Sequence, residues 1–295
     1  MPNGASSIHK QLRTELENYI KSQLFGKSPV LLSSLNAHID DEGLLYQKPY
    51  IESSPAYVTV ENGLAKADLA PWMKDYFSDL AKAGIGIFPS PYEHQIQALE
   101  AAARGENLFV STGTGSGKTE CFMLPVIHNA VPGAGVQAIF LYPLNALAED
   151  QKTRFSKYIE ESGKNLHFAT YNGNTPENDM DDNYVVPLKH EINTREAIRN
   201  TPPEILVTNP TMLEYMLLRR NDQPILDASK NLCWIVIDET HTFKGAAAAE
   251  LALLLRRVLL AAGVSPNQVQ FITSSATTGS GNEADLKKFI AGISG

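Results

Sequence analysis

The sequence has only two cysteines among its 295 residues, Cys121 and Cys233. Two thiols are too few for the disulfide framework of a small secreted scaffold, and they are not grouped as zinc ligands are. Both lie within apolar runs, so we expect buried, free thiols in a reducing compartment. The scarcity of cysteine therefore argues against a disulfide-stabilised fold and against a zinc site.

The chain also lacks a hydrophobic run of membrane-spanning length and an N-terminal targeting segment. Its most apolar stretch, residues 251–262, is short and is interrupted by Arg256 and Arg257. Positive charge is scarce as well, because 25 Lys and Arg stand against 33 Asp and Glu, a net charge of −8. We therefore predict a soluble cytoplasmic protein with no membrane partner. Any contact with nucleic acid must be a local patch on an acidic protein.

Hydrophobic residues make up 43% of the chain, which is ample for a packed core. Apolar residues at helical spacing predict amphipathic helices over residues 8–25 and 65–80. Between them, beginning at Pro29, this periodicity is lost. A glycine-containing hinge follows the second helix. We therefore predict a small, mainly helical accessory region over residues 1–87 and a larger domain over residues 88–295.

From residue 88 onward, short apolar runs alternate with helical patterns. The apolar runs predict strands over residues 108–111, 138–142, 167–171, 205–208, 234–237 and 270–274. The helical patterns cover residues 93–104, 119–131, 144–162, 210–218 and 246–262. Near-continuous apolar strands that alternate with helices indicate an α/β fold, with a parallel sheet covered by helices on both faces. Ligands of such sheets bind at the carboxyl ends of the strands.

A glycine-rich turn between the first of these strands and the next helix is typical of a phosphate-binding loop. Its residues are Thr112, Gly113, Thr114, Gly115, Ser116, Gly117, Lys118 and Thr119. Glycines let backbone N–H groups surround an anion at a helix N-terminus. Lys118 is the candidate ligand of the β- and γ-phosphates of ATP, and the Thr119 hydroxyl that of Mg²⁺. The strict pattern has glycine where this chain has Thr112, so a turn without a ligand stays open on this motif alone.

Two adjacent carboxylates, Asp238 and Glu239, follow the apolar strand at residues 234–237. A solvated turn is the ordinary explanation of such a pair, but a phosphate loop in the same chain favours a Walker B motif. Asp238 is then the candidate holder of Mg²⁺, and Glu239 the group that orients and deprotonates the attacking water. His241 is expected to face the γ-phosphate. We expect the two motifs to face each other across neighbouring strand ends.

Together these motifs resemble the first RecA-like lobe of a superfamily 2 helicase of the DExH type. Residues 112–119 resemble motif I, and Asp238-Glu239-Thr240-His241 resembles motif II, with Thr240 where many members have alanine. Ser275, Ala276 and Thr277 follow the last strand as motif III does. The resemblance implies a RecA-like P-loop NTPase lobe, the cofactors ATP and Mg²⁺, and a coupling role for motif III between nucleotide and nucleic acid.

Weaker motifs agree with the resemblance. Tyr92 and Gln95 lie in a segment that resembles the Q motif, which contacts adenine, although a surface helix start would also explain it. Three loop-to-helix junctions resemble segments that bind the nucleic-acid backbone without reading sequence. The alternative is that these residues only cap the helices that follow. The expected contacts are Pro143, Asn145, Gly173, Thr208, Asn209, Pro210 and Thr211.

Residues 48–57 and 243–245 resemble large bacterial DExH helicases that carry a DUF1998 region, a group with members in DNA repair and in Druantia anti-phage defence. This implies DNA rather than RNA as the partner, with repair or defence proteins as further partners. A second RecA-like lobe is expected in cis or in trans, and without it we expect weak ATP binding and little hydrolysis. An ATP-gated switch or clamp that binds nucleic acid without unwinding it is the alternative.

Overall fold

The computed structural model describes residues 5–25, 27–39, 41, 57–88, 90–113, 115–243, 245–275 and 291–292. The chain divides into two compact units, Met1–Ala56 and Tyr57–Gly295. The division therefore falls earlier than the boundary we predicted after residue 87. The physical reason is packing, because Phe77, Leu80 and Ile87 are buried in one cluster with strand and helix residues of the larger unit.

Among its described residues, the first unit contains two helices, α1 (Ala5–Ile20) and α2 (Pro29–His38). A π-helical turn, Lys21–Phe25, extends α1, so the predicted helix over residues 8–25 is present. Helix α2 was not expected, because Pro29 was taken to break the pattern. Pro29 instead occupies the first turn, where no N–H donor is required, and Ser28 caps the helix by accepting from Leu31 N at 3.5 Å.

The second unit contains six strands and the helices that cover them. The strands are β1 (Leu108–Ser111), β2 (Ala138–Leu141), β3 (Phe168–Tyr171), β4 (Ile205–Thr208), β5 (Trp234–Ile237) and β6 (Gln270–Ser275). The helices among the described residues are α3 (Gly63–Lys66), α4 (Pro71–Lys82), α5 (Glu93–Ala103), α6 (Lys118–Asn129), α7 (Asn145–Glu161), α8 (Arg195–Asn200), α9 (Pro210–Leu218), α10 (Gln223–Asp227) and α11 (Ala246–Ala262). Short 3₁₀ turns occur at Arg220–Asp222, Thr240–Thr242 and Pro266–Gln268. Each predicted strand is present within one residue of its predicted ends.

The six strands form one parallel sheet in the order β1-β6-β5-β2-β4-β3. Alternate residues of β2 point to opposite faces: Ala138 and Phe140 join one buried cluster, whereas Ile139 and Leu141 join the other. The first cluster includes residues of α4 to α7, and the second includes residues of α8 to α11. The predicted α/β class, with helices on both faces of a parallel sheet, is confirmed.

Within the part of the chain that the structure describes, no helix combines the length and the apolarity needed to cross a bilayer. Cys121 is buried in α6, Cys233 precedes β5, and both are free thiols. Several residues of the predicted motifs or their flanks lie outside the described residues, namely residues 48–56, Thr114, Lys244, Ala276 and Thr277.

Candidate nucleotide and nucleic-acid site

The phosphate loop and the acidic pair lie at the same edge of the sheet. The loop follows Ser111 at the carboxyl end of β1, and Asp238 follows Ile237 at the carboxyl end of β5. The prediction of neighbouring strand ends is wrong for these two strands, because β6 lies between them. Ser111 of β1 is in register with Ser275 of β6. The sheet therefore places Ser275, the first residue of the predicted motif III, between predicted motifs I and II.

Within the phosphate loop, the backbone and two hydroxyls form a closed turn. Gly115 and Gly117 have φ angles of +75° and +72°, a conformation that favours glycine. The hydroxyls of Thr112 and Ser116 lie 2.5 Å apart, so Thr112 closes the turn where the strict pattern has glycine. Lys118 opens α6, and its Nζ donates to the carbonyls of Thr112 at 2.7 Å and Gly113 at 3.0 Å. Thr119, the predicted Mg²⁺ ligand, is the next residue of that helix.

Helix α5 holds the phosphate loop through hydrogen bonds of Gln95. Gln95 is 6% exposed; its Nε2 donates to the Gly117 carbonyl at 3.1 Å, and its Oε1 accepts from Tyr92 N at 3.0 Å. His94 Nε2 lies 2.9 Å from the Ser116 carbonyl. Burial and the charge of Lys118 lower the pKa of His94, against the opposing effect of the Ser116 carbonyl. The role of Gln95 in this structure is thus to hold the loop, and its expected contact with adenine remains a prediction.

Tyr57, the last residue of the stretch 48–57, contacts the loop from the other side. A Cβ added to Gly113 would lie 2.5 Å from the Tyr57 hydroxyl oxygen. The ring centroids of Tyr57 and Tyr92 lie 5.1 Å apart. Two backbone hydrogen bonds fix the segment, from Val60 N to the Pro91 carbonyl and from Glu93 N to the Val58 carbonyl. The glycine at position 113 was the only signal of this close approach.

The acidic pair is connected to the end of β6 by side-chain hydrogen bonds. Ser274 Oγ donates to Asp238 Oδ1, and Thr240 Oγ1 donates to the Ser274 carbonyl at 2.8 Å. His241 Nδ1 lies 3.1 Å from Glu239 Oε2 and 3.3 Å from the Ser275 hydroxyl. Glu239 has a φ of +51°, which is uncommon outside glycine. All four residues of predicted motif II thus lie in or beside one short turn against β6.

The predicted nucleic-acid contacts cluster at the carboxyl ends of β2, β4 and β3. Asn209 caps α9 by accepting from Met212 N at 2.7 Å, and its Nδ2 donates to Asn145 Oδ1 at 2.8 Å. Thr211 and Gly173 are exposed, and Pro143 and Pro210 are partly exposed. Thr208 differs from the prediction, since it is 1% exposed and its hydroxyl donates to the Tyr171 carbonyl at 2.6 Å. Thr208 therefore ties two strands together and does not offer its hydroxyl to a ligand.

Among the residues that the structure describes, no group of three His, Cys, Asp or Glu side chains is placed to hold a metal ion. Mg²⁺ sites in nucleotide-binding proteins use one or two carboxylates together with the phosphates, so they do not require such a cage.

The sequence profile of the DEAD/DEAH box helicases matches residues 92–286. The chain belongs to the DEAD/DEAH box helicase family. The match runs from Tyr92 past the end of β6, so it includes the phosphate loop, the acidic pair and Ser275. The resemblance to a superfamily 2 helicase lobe is confirmed.

Individual helicases show the same relationship. The chain is 28% identical to the Druantia protein DruE of Escherichia coli over 93% of its length, and 32% identical to the helicase YprA of Bacillus subtilis over 67%. A solved structure of the DUF1998 helicase MrfA bound to DNA and AMPPNP covers 88% of this chain at 26% identity, with a TM-score of 0.58. The chain spans only 21% of DruE, 24% of YprA and 32% of MrfA.

Proposed function

We propose that residues 57–295 form the ATP-binding first lobe of an ATP-dependent DNA helicase or translocase. The observation that carries the proposal is the placement of the phosphate loop and the acidic pair on either side of β6, at one edge of the sheet. Helicases similar to this chain include one whose structure holds DNA and AMPPNP. ATP and DNA are therefore the ligands we assign, with RNA the less favoured nucleic acid.

The loop fits a triphosphate. Lys118 now donates to two loop carbonyls, and we propose that it exchanges them for β- and γ-phosphate oxygens when ATP binds. The loop from Gly113 to Gly117 supplies N–H donors, with Gly115 and Gly117 at positive φ. We assign Tyr92 and Gln95 to the adenine base, and Gln95 also donates to the Gly117 carbonyl of the loop.

The acidic pair fits Mg²⁺ and water. Asp238 and Thr119 are the groups we assign to Mg²⁺, which supplies charge neutralisation of the phosphates when it is bound. Glu239 takes the proton of the attacking water, and the nearby imidazole of His241 orients its carboxylate. We assign Ser275, together with Ala276 and Thr277, to coupling between this turn and the rest of the lobe.

We assign the exposed groups around the carboxyl ends of β2, β3 and β4 to the backbone of DNA. Asn145, Asn209, Pro210 and Thr211 form one side of this surface, and Gly173 forms the other. Helix N-termini and neutral donors bind phosphates without reading sequence, which suits a protein that moves along a strand. Binding through the phosphate backbone is tolerant of sequence and sensitive to salt.

We further propose that the lobe works with a second RecA-like lobe, in cis or in trans, because the helicases it resembles are three or more times its length. Cytoplasmic location and partners from DNA repair or phage defence belong to the same proposal. The likeness to DruE supports the defence role.

Equilibrium binding of a fluorescent ATP analogue with Mg²⁺ tests the nucleotide assignment without requiring turnover. Lys118→Ala removes a charged donor worth about 1.5–3 kcal/mol, so we expect roughly a tenfold to hundredfold loss of affinity. Glu239→Gln keeps the shape of the side chain and should bind the analogue as the wild type does, while abolishing hydrolysis. Lys230→Ala is the control, because this exposed lysine precedes β5 at the opposite edge of the sheet. Equal affinity of Lys118→Ala and the wild type would refute the assignment.

A further inference from the structure

Two arginines of helix α8 point back toward the loop that follows β3. Arg195 Nε donates to the Thr175 carbonyl at 2.9 Å, and its Nη2 donates to the Asn172 carbonyl at 2.7 Å. The guanidinium carbon lies 5.0 Å from the centroid of the Tyr171 ring. One side chain thus holds both ends of the turn whose exposed tip is Gly173.

Arg199, one helical turn further on, joins this loop to the segment after α9. Its Nε donates to Asp222 Oδ1 at 2.9 Å, and its Nη2 donates to the Tyr171 hydroxyl at 3.2 Å. Its Nη1 donates to Glu177 Oε1. The Tyr171 hydroxyl in turn donates to Asp222 Oδ1. Asp222 is 0% exposed, so the ion pair is buried at its acidic end.

The position of β3 explains why the loop needs such support. Among the described residues, strand β3 is the last in the sheet order, with β4 on one side and a single isolated bridge from Phe168 to Glu191 on the other. The loop over residues 172–177 therefore receives strand neighbours from one side only. Helix α8 supplies the missing support, since Arg195 N and Glu196 N also donate to the Pro176 and Glu177 carbonyls.

This network of buried charges contributes little to the stability of the fold. A buried ion pair loses much of its attraction to the desolvation of its members, and hydrophobic replacements are often as stable. What it supplies is a fixed geometry between two segments. Asp222 ends the 3₁₀ turn that follows α9, the helix that begins at Pro210 beside Asn209. Arg199 and Tyr171 lie on the side of the Gly173 loop.

We propose that Arg195 and Arg199 are positioning residues that hold the Gly173 loop at a fixed place relative to the N-terminus of α9, so that both engage one nucleic-acid strand. This inference rests on the proposed function, because it takes the two segments as the DNA-contacting surface. Neither guanidinium contacts the strand itself, since both are bound to carbonyls, carboxylates and the tyrosine hydroxyl of the protein.

The test compares Arg195→Met and Arg199→Lys with Arg104→Met in the full chain. Arg104 is exposed, pairs with Glu106 and lies before β1, away from the carboxyl edge. Arg195→Met and Arg104→Met each remove one positive charge, so the general effect of charge on DNA affinity is matched. Arg199→Lys keeps a positive charge beside Asp222, so the fold is not destabilised by an unpaired buried carboxylate. The substitution removes the planar fork of the guanidinium group.

Two measurements follow on each variant: amide hydrogen exchange, and binding of a fluorescein-labelled oligo(dT) over a series of salt concentrations. We expect faster exchange over residues 172–177 in both test variants and over 209–213 in Arg199→Lys, with no change in Arg104→Met. We expect a roughly tenfold rise in Kd for both test variants, which corresponds to about 1.4 kcal/mol. The salt dependence of Arg195→Met should match that of Arg104→Met.

Three results would overturn the inference. A salt slope for Arg195→Met that is lower than the control by about 0.7 would mean that the guanidinium contacts a phosphate directly. Unchanged hydrogen exchange in the test variants would overturn the positioning role alone and leave the proposed function standing. The same holds if the variants have an unchanged Kd and the wild type binds normally. Failure of the wild type to bind the oligonucleotide would instead refute the proposed DNA surface, and this inference with it.

Discussion

Replacing Gly117 by alanine tests the packing between the phosphate loop and α5. Gly117 has a φ of +72°, and a Cβ there would lie under 3.0 Å from Gln95 Nε2. Gln95 donates to the Gly117 carbonyl and accepts from Tyr92 N, and it has little room to move because it is 6% exposed. The added methyl group therefore displaces a buried amide and strains the backbone.

Gly163→Ala separates these two costs. Gly163 has a φ of +67°, close to that of Gly117, but a Cβ there would meet nothing within 4 Å. The left-handed conformation costs alanine about 1 kcal/mol in both variants. Loss of the two hydrogen bonds of Gln95 adds about 2 kcal/mol at Gly117 alone, at about 1 kcal/mol for each bond. We expect a loss in unfolding free energy of about 3 kcal/mol for Gly117→Ala and about 1 kcal/mol for Gly163→Ala.

Urea unfolding, followed by circular dichroism, measures both values, and binding of the fluorescent ATP analogue measures the consequence for the site. Gly117→Ala should lose affinity for the analogue because the loop carbonyls and N–H groups shift with Gln95, whereas Gly163→Ala should bind normally. Equal destabilisation by the two substitutions would show that Gln95 does not pack against the loop as described, and would refute the reasoning.

The remaining predictions concern titration and thiol reactivity. Burial, with a smaller effect of Lys164, lowers the pKa of His128 to about 4, and the ring stacks on Trp72 at 4.2 Å. The unfolded chain then binds the extra proton between pH 6.5 and about 4, so unfolding free energy falls as the pH is lowered through this window and is unaffected above it. His128→Phe should reduce that loss by about 1–2 kcal/mol after allowance for solvent screening, measured by urea unfolding at pH 7 and pH 4.5, and an identical pH dependence of the two proteins would contradict this. Burial also raises the pKa of the Cys121 thiol and raises that of Cys233 to about 12, so neither should react with a disulfide reagent at pH 8 in the native protein, while both react in urea. Rapid labelling of the native protein would contradict this environment.

The strands could be predicted from the sequence because their signal is local. Each is a short apolar run that ends at a polar or glycine-rich turn, and burial on both faces makes every residue of β2 apolar and leaves one threonine each in β3 and β4. Helices α8 and α10 were missed because six and five residues are too few to show helical periodicity. Pro29 misled for another reason, since proline breaks a helix interior but suits its first turn.

The supporting contacts of the site could not be predicted, because they join residues far apart in the chain. Nothing near Arg199 in the sequence identifies Asp222 as its partner, and nothing near Tyr57 identifies Gly113. The same limit applies to Gln95, whose family role directs attention to adenine while its hydrogen bonds in this structure go to the loop and to Tyr92. The motif residues themselves could be predicted from the sequence, because the residues of each motif are adjacent in the chain.

The strand order has a consequence for coupling that the motifs alone do not show. Had β1 and β5 been neighbours, the end of β6 would contact only one of the two nucleotide motifs. Because β6 lies between them, Ser274 bonds to Asp238 on one side, while Ser275 is in register with Ser111, the last residue before the phosphate loop. Thr240 adds a second bond from the acidic turn to the Ser274 carbonyl. We therefore expect a movement of the acidic turn to displace the end of β6 through these hydrogen bonds, and β6 to pass the displacement to the strand that precedes the phosphate loop. The insertion of β6 supports our proposal that motif III, of which the structure describes Ser275, couples the two parts of the site.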